Sequence, residues 1–406
     1  MRQRVPVRAV LALVLVASLS ACATTIDGKA VKAPHDITAD GADLAVLNPG
    51  NYPRGPRPPL GLANSENFGT VLEGHRMANN IAGPWDIDPA LKTPQPLNTL
   101  TMQRHNGIAA NLPDPGQDIV SAHHLLAGFS TARNSSDTKK SLIIMVLRFP
   151  DPGSAADTAK QLADVGVGDT PVRPFDIPRY PDAIGRTYDE PQSGGLPQSG
   201  GHATEGYLPH GPYLLYAWAR TADSPDASAA LVATTYDQEI PRIDAFVPTD
   251  PGALATLPMD PVGFLNRVVP ADQDASDVNF GGYQPYAALH FQDDPSQVAS
   301  DFNAAGVDAV ATLRTTVYRA RDAAGAQHLL DSAIAWSTSR PGAKPAPGVD
   351  GLPSAKCFEY TQPDVSQTPR FGCVGTAGRH QFEAWSEQGP DVRQQTASQY
   401  LMLTQD

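Results

Sequence analysis

Four stretches of the chain carry the apolar runs or two-residue alternation of β-strands, and they fall into two pairs. Leu142–Phe149 and Thr312–Arg319 are β-rich apolar runs, while Tyr213–Arg220 and His380–Ser386 alternate as half-buried strands do. Helical spacing follows the first member of each pair, over Ser154–Val165 and Ala324–Ala335. Asp151-Pro152 reads as an N-cap with proline in the first turn, and Gly166 as a stop. A further helix opens at Ser224-Pro225 and is expected to end at Pro241, because proline lacks the N–H that continues the ladder. Asp294-Pro295 opens another that Gly306 should terminate.

The pairing extends to an internal repeat. Val146-Leu147-Arg148-Phe149-Pro150-Asp151 aligns with Val317-Tyr318-Arg319-Ala320-Arg321-Asp322. Pro181-Asp182-Ala183 and Tyr188 align with Pro353-Ser354-Ala355 and Tyr360, and Leu215-Tyr216-Ala217-Trp218 with Phe382-Glu383-Ala384-Trp385. Pro225-Asp226 and Pro390-Asp391 follow in turn. Four blocks in one order at nearly one offset indicate a duplication. The expected fold is α+β: two similar domains, each a mainly antiparallel sheet with helices packed on it, since hairpin-length links dominate. Crowded prolines place the boundary in Val247–Pro261. The expected division is an N-terminal domain over 46–250, a linker over 251–285 and a C-terminal domain over 286–406.

The first 22 residues follow another pattern. Arg2, Arg4 and Arg8 precede an apolar run from Ala9 to Leu19, too short to span a bilayer, and Leu19-Ser20-Ala21-Cys22 closes it as a lipobox. Residues 1–21 therefore read as a lipoprotein signal peptide, and Cys22 as the lipidated first residue of the mature chain, anchored to the extracytoplasmic face of the cell membrane. Each buried acyl CH₂ would add ~0.8 kcal/mol. Residues 22–45 read as a tether. Beyond it, Asn48–Gly61 is proline-rich and favours polyproline-type extension. It reads as a belt across the first domain with Tyr52 and Leu60 as pegs, or as a motif for a partner.

A formal charge of −13, which falls to −16 without the leader's three arginines, argues against nucleic acid and anionic headgroups as partners. Cys22 being committed to lipid, Cys357 and Cys373 remain, 16 positions apart, and suggest one disulfide. The repeat sets them opposite Gly185 and Gly206, so the bridge would pin two neighbouring strands of the second copy alone. In the first copy that interval holds Ser193-Gly194-Gly195 and Ser199-Gly200-Gly201, a flexible loop that reads as a lid or as a surface insertion.

Catalytic signatures are sparse. The chain has no G-x-S-x-G elbow, Walker loop, H-E-x-x-H pair or dinucleotide fingerprint. His123 and His124 are adjacent and would point to opposite sides of a strand. His202 and His210 flank the flexible loop without an evident third ligand, so no metal or cofactor is expected. His328 reads as a boundary residue of an Ala/Leu helix. Asp86 and Asp88 could serve as paired carboxylates, but Asp88 reads better as a helix cap. Trp218 and Trp385 occupy matched positions in the two copies, which favours a role on the sheet face over sugar stacking.

The lipobox, the Asn51–Gly61 belt, the Gly74-His75-Arg76-Met77-Ala78 stretch and the Val317–Asp322 block together resemble an uncharacterised family of actinobacterial envelope lipoproteins from mycolic-acid-bearing lineages. The resemblance implies a compartment and a two-part body, and transfers no catalytic residue. Three functions follow as expectations. The first is a non-enzymatic binding module for an envelope lipid or glycan. The second is an assembly lipoprotein that contacts another envelope protein. The third is a hydrolase with a site scattered over His202, His210, Asp86 and Asp88.

Overall fold

The computed structural model describes residues 37–103, 111–112, 114–190, 200–272, 278–361 and 370–405. The first part holds α1 (Glu66–Ala78), α2 (Pro84–Ile87), β1 (Leu91–Pro94), β2 (Leu100–Met102), α3 (Asp114–Ala122), β3 (Ala127–Ser135) and β4 (Lys140–Arg148). It continues with α4 (Pro152–Ala163), β5 (Arg173–Pro174), β6 (Ile184–Glu190), β7 (Gly201–His210), β8 (Tyr213–Thr221) and α5 (Pro225–Asp244). The second part holds β9 (Gly281–Tyr283), α6 (Pro285–Leu289), α7 (Pro295–Ala305), β10 (Ala309–Thr312), β11 (Thr315–Arg319) and α8 (Ala323–Ser339). It ends with β12 (Ala343–Pro345), β13 (Lys356–Tyr360), β14 (Phe371–Ala377), β15 (His380–Ser386) and α9 (Gly389–Thr404).

Capping side chains set the helix starts. Asp151, Ser224, Asp294 and Asp322 each accept a backbone N–H from the first turn of α4, α5, α7 and α8. Gly306 closes α7 in the left-handed conformation at φ 62°. Pro241 does not end its helix as expected: α5 runs through it to Asp244. The turn beyond Pro241 is held from outside, with Ile243 buried and Arg242 paired with Asp86 at 3.0 Å, which offsets the missing hydrogen bond. Gly166 is also not the stop, because α4 already ends at Ala163, with Asp164 as its C-cap.

Each part builds one antiparallel sheet, and the two strand orders are the same. The first runs β1-β3-β4-β8-β7-β6-β5, with β2 on β3, and the second runs β9-β10-β11-β15-β14-β13-β12. Registers coincide as well. Val146 faces Leu215 and Val317 faces Phe382, while Gly185 faces Gly206 and Cys357 faces Cys373. The duplication expected from four sequence blocks is therefore a duplication of backbone pairing. The cysteines form a disulfide across this pair, Cα to Cα 4.1 Å. The first copy has no room for one: a Cβ on Gly206 would collide with Tyr236 and Val232 of α5, and one on Gly185 with the Phe175 carbonyl. Cys357→Ser should lower the second domain's stability by about 3 kcal/mol, from the loop entropy returned to the unfolded chain. Urea unfolding of oxidised wild type against the variant measures it, and equal midpoints would refute the estimate.

Core residues from the two parts are continuous. Met77, Trp85 and Phe129 pack in one cluster with Tyr283, Phe302 and Tyr318. Within it, Glu73 of α1 is fully buried and accepts from Arg148 at 2.7 Å and from Thr249 Oγ1 at 2.8 Å. His75 beside it meets the Val278 carbonyl at 2.7 Å, so the Gly74–Ala78 stretch is a buried junction between sheets. The described residues of 251–285 are packed as well. Leu254 packs over Gly69, Phe264 and Leu265 are buried, and Gly281–Tyr283 joins the second sheet as β9.

The proline-rich belt crosses the second domain, not the first. Leu47 and Leu60 pack with Phe264, Phe382 and Leu401. Tyr52 donates to Asp391 at 2.8 Å and Arg57 to the Leu265 carbonyl at 2.9 Å. The reason is coverage. α1, α2 and α5 fill one face of the first sheet and α3 and α4 the other, whereas α9 leaves a flank on which the belt's pegs find both apolar contacts and an acceptor.

Candidate ligand cavity

Side chains alternate across β11 and β15. Val317, Phe382 and Ala384 face α9, while Thr316, Tyr318, Gln381, Glu383 and Trp385 face the side of α7 and α8. The shared register identifies what the first copy places there: Met145, Leu147, Leu214, Tyr216 and Trp218. The first four are buried with Ala155, Ala159 and Leu162 of α4 in a dry core. A 300 Å³ space lies at its margin, beside the Arg186–Glu205 ion pair and the hydroxyls of Tyr188 and Tyr207. In the second copy, four apolar or aromatic positions have become Thr316, Tyr318, Gln381 and Glu383, and an 870 Å³ cavity opens in front of them. A single copy of the repeat has thus exchanged its packed layer for a polar floor.

The cavity has two ends. Phe280, Tyr283, Phe291 and Phe302 line it where it meets the common core, with the Tyr283 and Phe291 rings 5.2 Å apart. At the other end the Arg340 guanidinium lies 4.5 Å from the Trp336 ring centre and 5.6 Å from that of Tyr360. Arg340 also pairs with Asp293 at 3.2 Å. Trp385 stacks on Tyr360 and meets Trp336 edge-on. Asp294 caps α7 and lies 3.5 Å from Lys92 of the first part, while Asp301 pairs with His328 at 3.1 Å. Burial lifts the Glu383 carboxyl to about 7; hydrogen bonds from Gln381 and Trp385 oppose the shift and the charge of Asp293 adds to it. Burial also raises the Tyr318 phenol.

The four residues of the scattered hydrolase site do not converge. His202 and His210 sit at opposite ends of β7, about 26 Å apart by strand rise, and pair with Asp189 at 2.7 Å and Asp244 at 2.6 Å. Asp86 accepts from the Gly83 amide and from Arg242 and Tyr286. Asp88 does not open a helix as expected. It follows the last residue of α2 and accepts from the Ala90 amide and Lys140. No group of three or more metal-capable side chains occurs among the described residues. His328 is exposed on α8 and not the boundary residue expected, and both tryptophans lie on the sheet face, Trp218 donating to Tyr188 at 2.8 Å. Cys22, the leader and the Ser193–Ser199 part of the glycine-rich loop lie outside the described residues.

Sequence reasoning passed over Thr316, Gln381, Glu383, Asp293 and Arg340. The signal lay in the repeat itself, where Phe382-Glu383-Ala384-Trp385 aligns with Leu215-Tyr216-Ala217-Trp218 and sets a carboxyl against a core tyrosine. Arg340 and Asp293 had no such signal, because they meet only through the fold.

Fold and cavity together define a duplicated α+β protein with two antiparallel sheets, one densely packed and one hollow. Residues 60–259 match the N-terminal domain of unknown function DUF7373, and residues 264–406 match its C-terminal domain. The chain belongs to the DUF7373 family. No curated protein matches it. Among solved structures, the extracellular domain of PknH from Mycobacterium tuberculosis aligns at 10% identity and a TM-score of 0.31, over 41% of this chain and 96% of that one.

Proposed function

We propose that this chain is a non-enzymatic binding module, held at the extracytoplasmic face of the membrane by lipidated Cys22, whose second-domain cavity takes an envelope lipid or glycan. One observation carries the reading: the exchange of the packed layer Met145, Leu147, Leu214 and Tyr216 for Thr316, Tyr318, Gln381 and Glu383 around an 870 Å³ space. Each of the four bonds within the protein, Thr316 to Thr312, Tyr318 to Gln292, Gln381 to the Phe382 carbonyl and Glu383 to Gln381 and Trp385, so the polar floor is a built surface. A volume of this size lies within the range of small-molecule sites, and aromatic walls with a few polar groups are their usual composition.

The test restores the first copy's residues. The double variant Gln381→Leu/Glu383→Tyr and the wild type are each purified from the native envelope, and co-purifying small molecules are compared by mass spectrometry. A lipid or glycan enriched with wild type and lost from the variant is the expected result. Retention of the same compound by the variant would refute the cavity as the site, and protein partners alone would favour the assembly reading. Anchoring is tested by Cys22→Ala, which should release the protein from membranes; a variant that stays membrane-bound would sink the lipoprotein assignment.

A further inference from the structure

The charges around the cavity narrow the ligand further, granted that this cavity is the ligand site. Among the described residues, Asp293, Asp294, Asp301 and Glu383 line it, together with the guanidinium of Arg340. Asp293 is matched by Arg340 and Asp294 by Lys92, while Asp301 lies 3.1 Å from His328. Glu383 has no cation within ion-pair distance among the described residues. Its neighbours are the neutral Gln381 and Trp385 on its own strand, Tyr318 on β11, and the like charge of Asp293 before α7. An anionic headgroup would meet the Glu383 and Asp293 carboxyls in a recessed space whose Arg340 is already engaged by Asp293, and like charges so placed repel. A neutral polyol could bond to either form of Glu383, whose carboxyl burial lifts to about 7, but would bring no counter-charge to the ionised one. A cation supplies one, and the Arg340 site shows that this end of the cavity already holds a cation between carboxylate and aromatic faces. The opposite end, walled by Phe280, Phe291 and Phe302, suits hydrocarbon.

We infer that the cavity takes an amphiphile with an ammonium head, its cationic nitrogen seated beside Glu383 and its apolar portion against Phe291 and Phe302. The experiment titrates the full chain, below micelle-forming concentrations, with three probes that share one tail: n-octyltrimethylammonium, n-octyl glucoside and n-octyl sulfate. Calorimetry reads affinity, and tryptophan fluorescence reports on Trp336 and Trp385. The ammonium probe is expected to bind at least about tenfold more tightly than the glucoside, with no measurable sulfate binding. Added salt should weaken the ammonium probe alone. Glu383→Gln should cost the ammonium probe about tenfold, in protein shown by its melting curve to be folded. Equal or tighter binding of glucoside or sulfate would overturn the ammonium head and leave the cavity reading intact. Silence from all three probes would overturn the cavity reading itself.

Discussion

Arg133→Met is expected to destabilise the protein by about 3–5 kcal/mol, one of its largest single-residue effects. Arg133 lies on β3 in the first part and is fully buried. Its guanidinium donates to the Lys92 carbonyl at 2.9 Å and the His290 carbonyl at 2.7 Å, with longer contacts to those of Leu289 and Asp293 at 3.4 Å. It also lies 5.4 Å from the Trp85 ring centre. Burial lowers it only to about 10, against the favourable charges of Asp293 and Asp294, so it remains a cation at neutral pH. Methionine fills comparable volume but strands several buried carbonyls, including those at the end of α6. Lysine cannot replace the fork, having one nitrogen where the carbonyls lie on several sides. Because α6 leads directly to Asp293 and Asp294, the variant should also weaken ligand binding at the cavity. Urea unfolding followed by circular dichroism measures the loss, and a change below about 1 kcal/mol would contradict this account.

A second large effect concerns pH. Glu239 on α5 is buried, with one carboxylate oxygen accepting from the Ala82 amide at 2.8 Å and the other without a partner. Burial lifts it to about 8 from an ordinary 4.5. Its proton is therefore bound more tightly in the folded chain than in the unfolded one. The resulting stability is full below pH 4.5 and is lost as pH rises through about 8. Glu383, lifted to about 7, acts in the same direction. Burial moves three histidines the opposite way, His75 and His380 to about 4 and His290 to about 3, from 6.5. All three are neutral in the fold, so their contribution is present above pH 6.5 and is lost as pH falls toward those values. Between pH 4.5 and 6.5 the three histidines outweigh the two carboxyls, and above 6.5 only the carboxyl loss remains, so the melting temperature should peak at about pH 6.5. Glu239→Gln, which imitates the protonated acid, should flatten the alkaline limb, of which Glu239 accounts for about 2 kcal/mol. A wild-type stability that stays level from about pH 6.5 to 8.5 would rule out the buried-acid explanation.

Much of the fold could be read along the chain because it rests on local or periodic signals. The strands Leu142–Phe149 and Tyr213–Arg220 declare themselves by apolar run and alternation, and Asp151, Ser224 and Asp294 by capping chemistry. The repeat set Cys357 and Cys373 on two neighbouring strands, as Gly185 and Gly206 are in the first copy, because the shared register carries sequence offset into spatial pairing. Reasoning went astray where a distant partner outweighed the local signal. Pro241 remains inside its helix because Arg242 and Ile243 are held by residues far away in sequence. The belt lies on the second domain because Asp391 and α9 are there.

The candidate site divides along the same line. Alternation along β15 determines that Glu383 and Trp385 share a face, since side chains point to opposite sides of a strand with a period of two. It cannot determine whether that face is packed or hollow. The hollow depends on how α7 and α8 stand off the sheet, and on Arg340, Asp293 and Lys92 arriving from three separate segments. Periodicity, caps and duplication are properties of neighbours in the chain. Cavity shape and charge balance are sums over residues that only folding makes neighbours, and that is why the tertiary structure alone decided them.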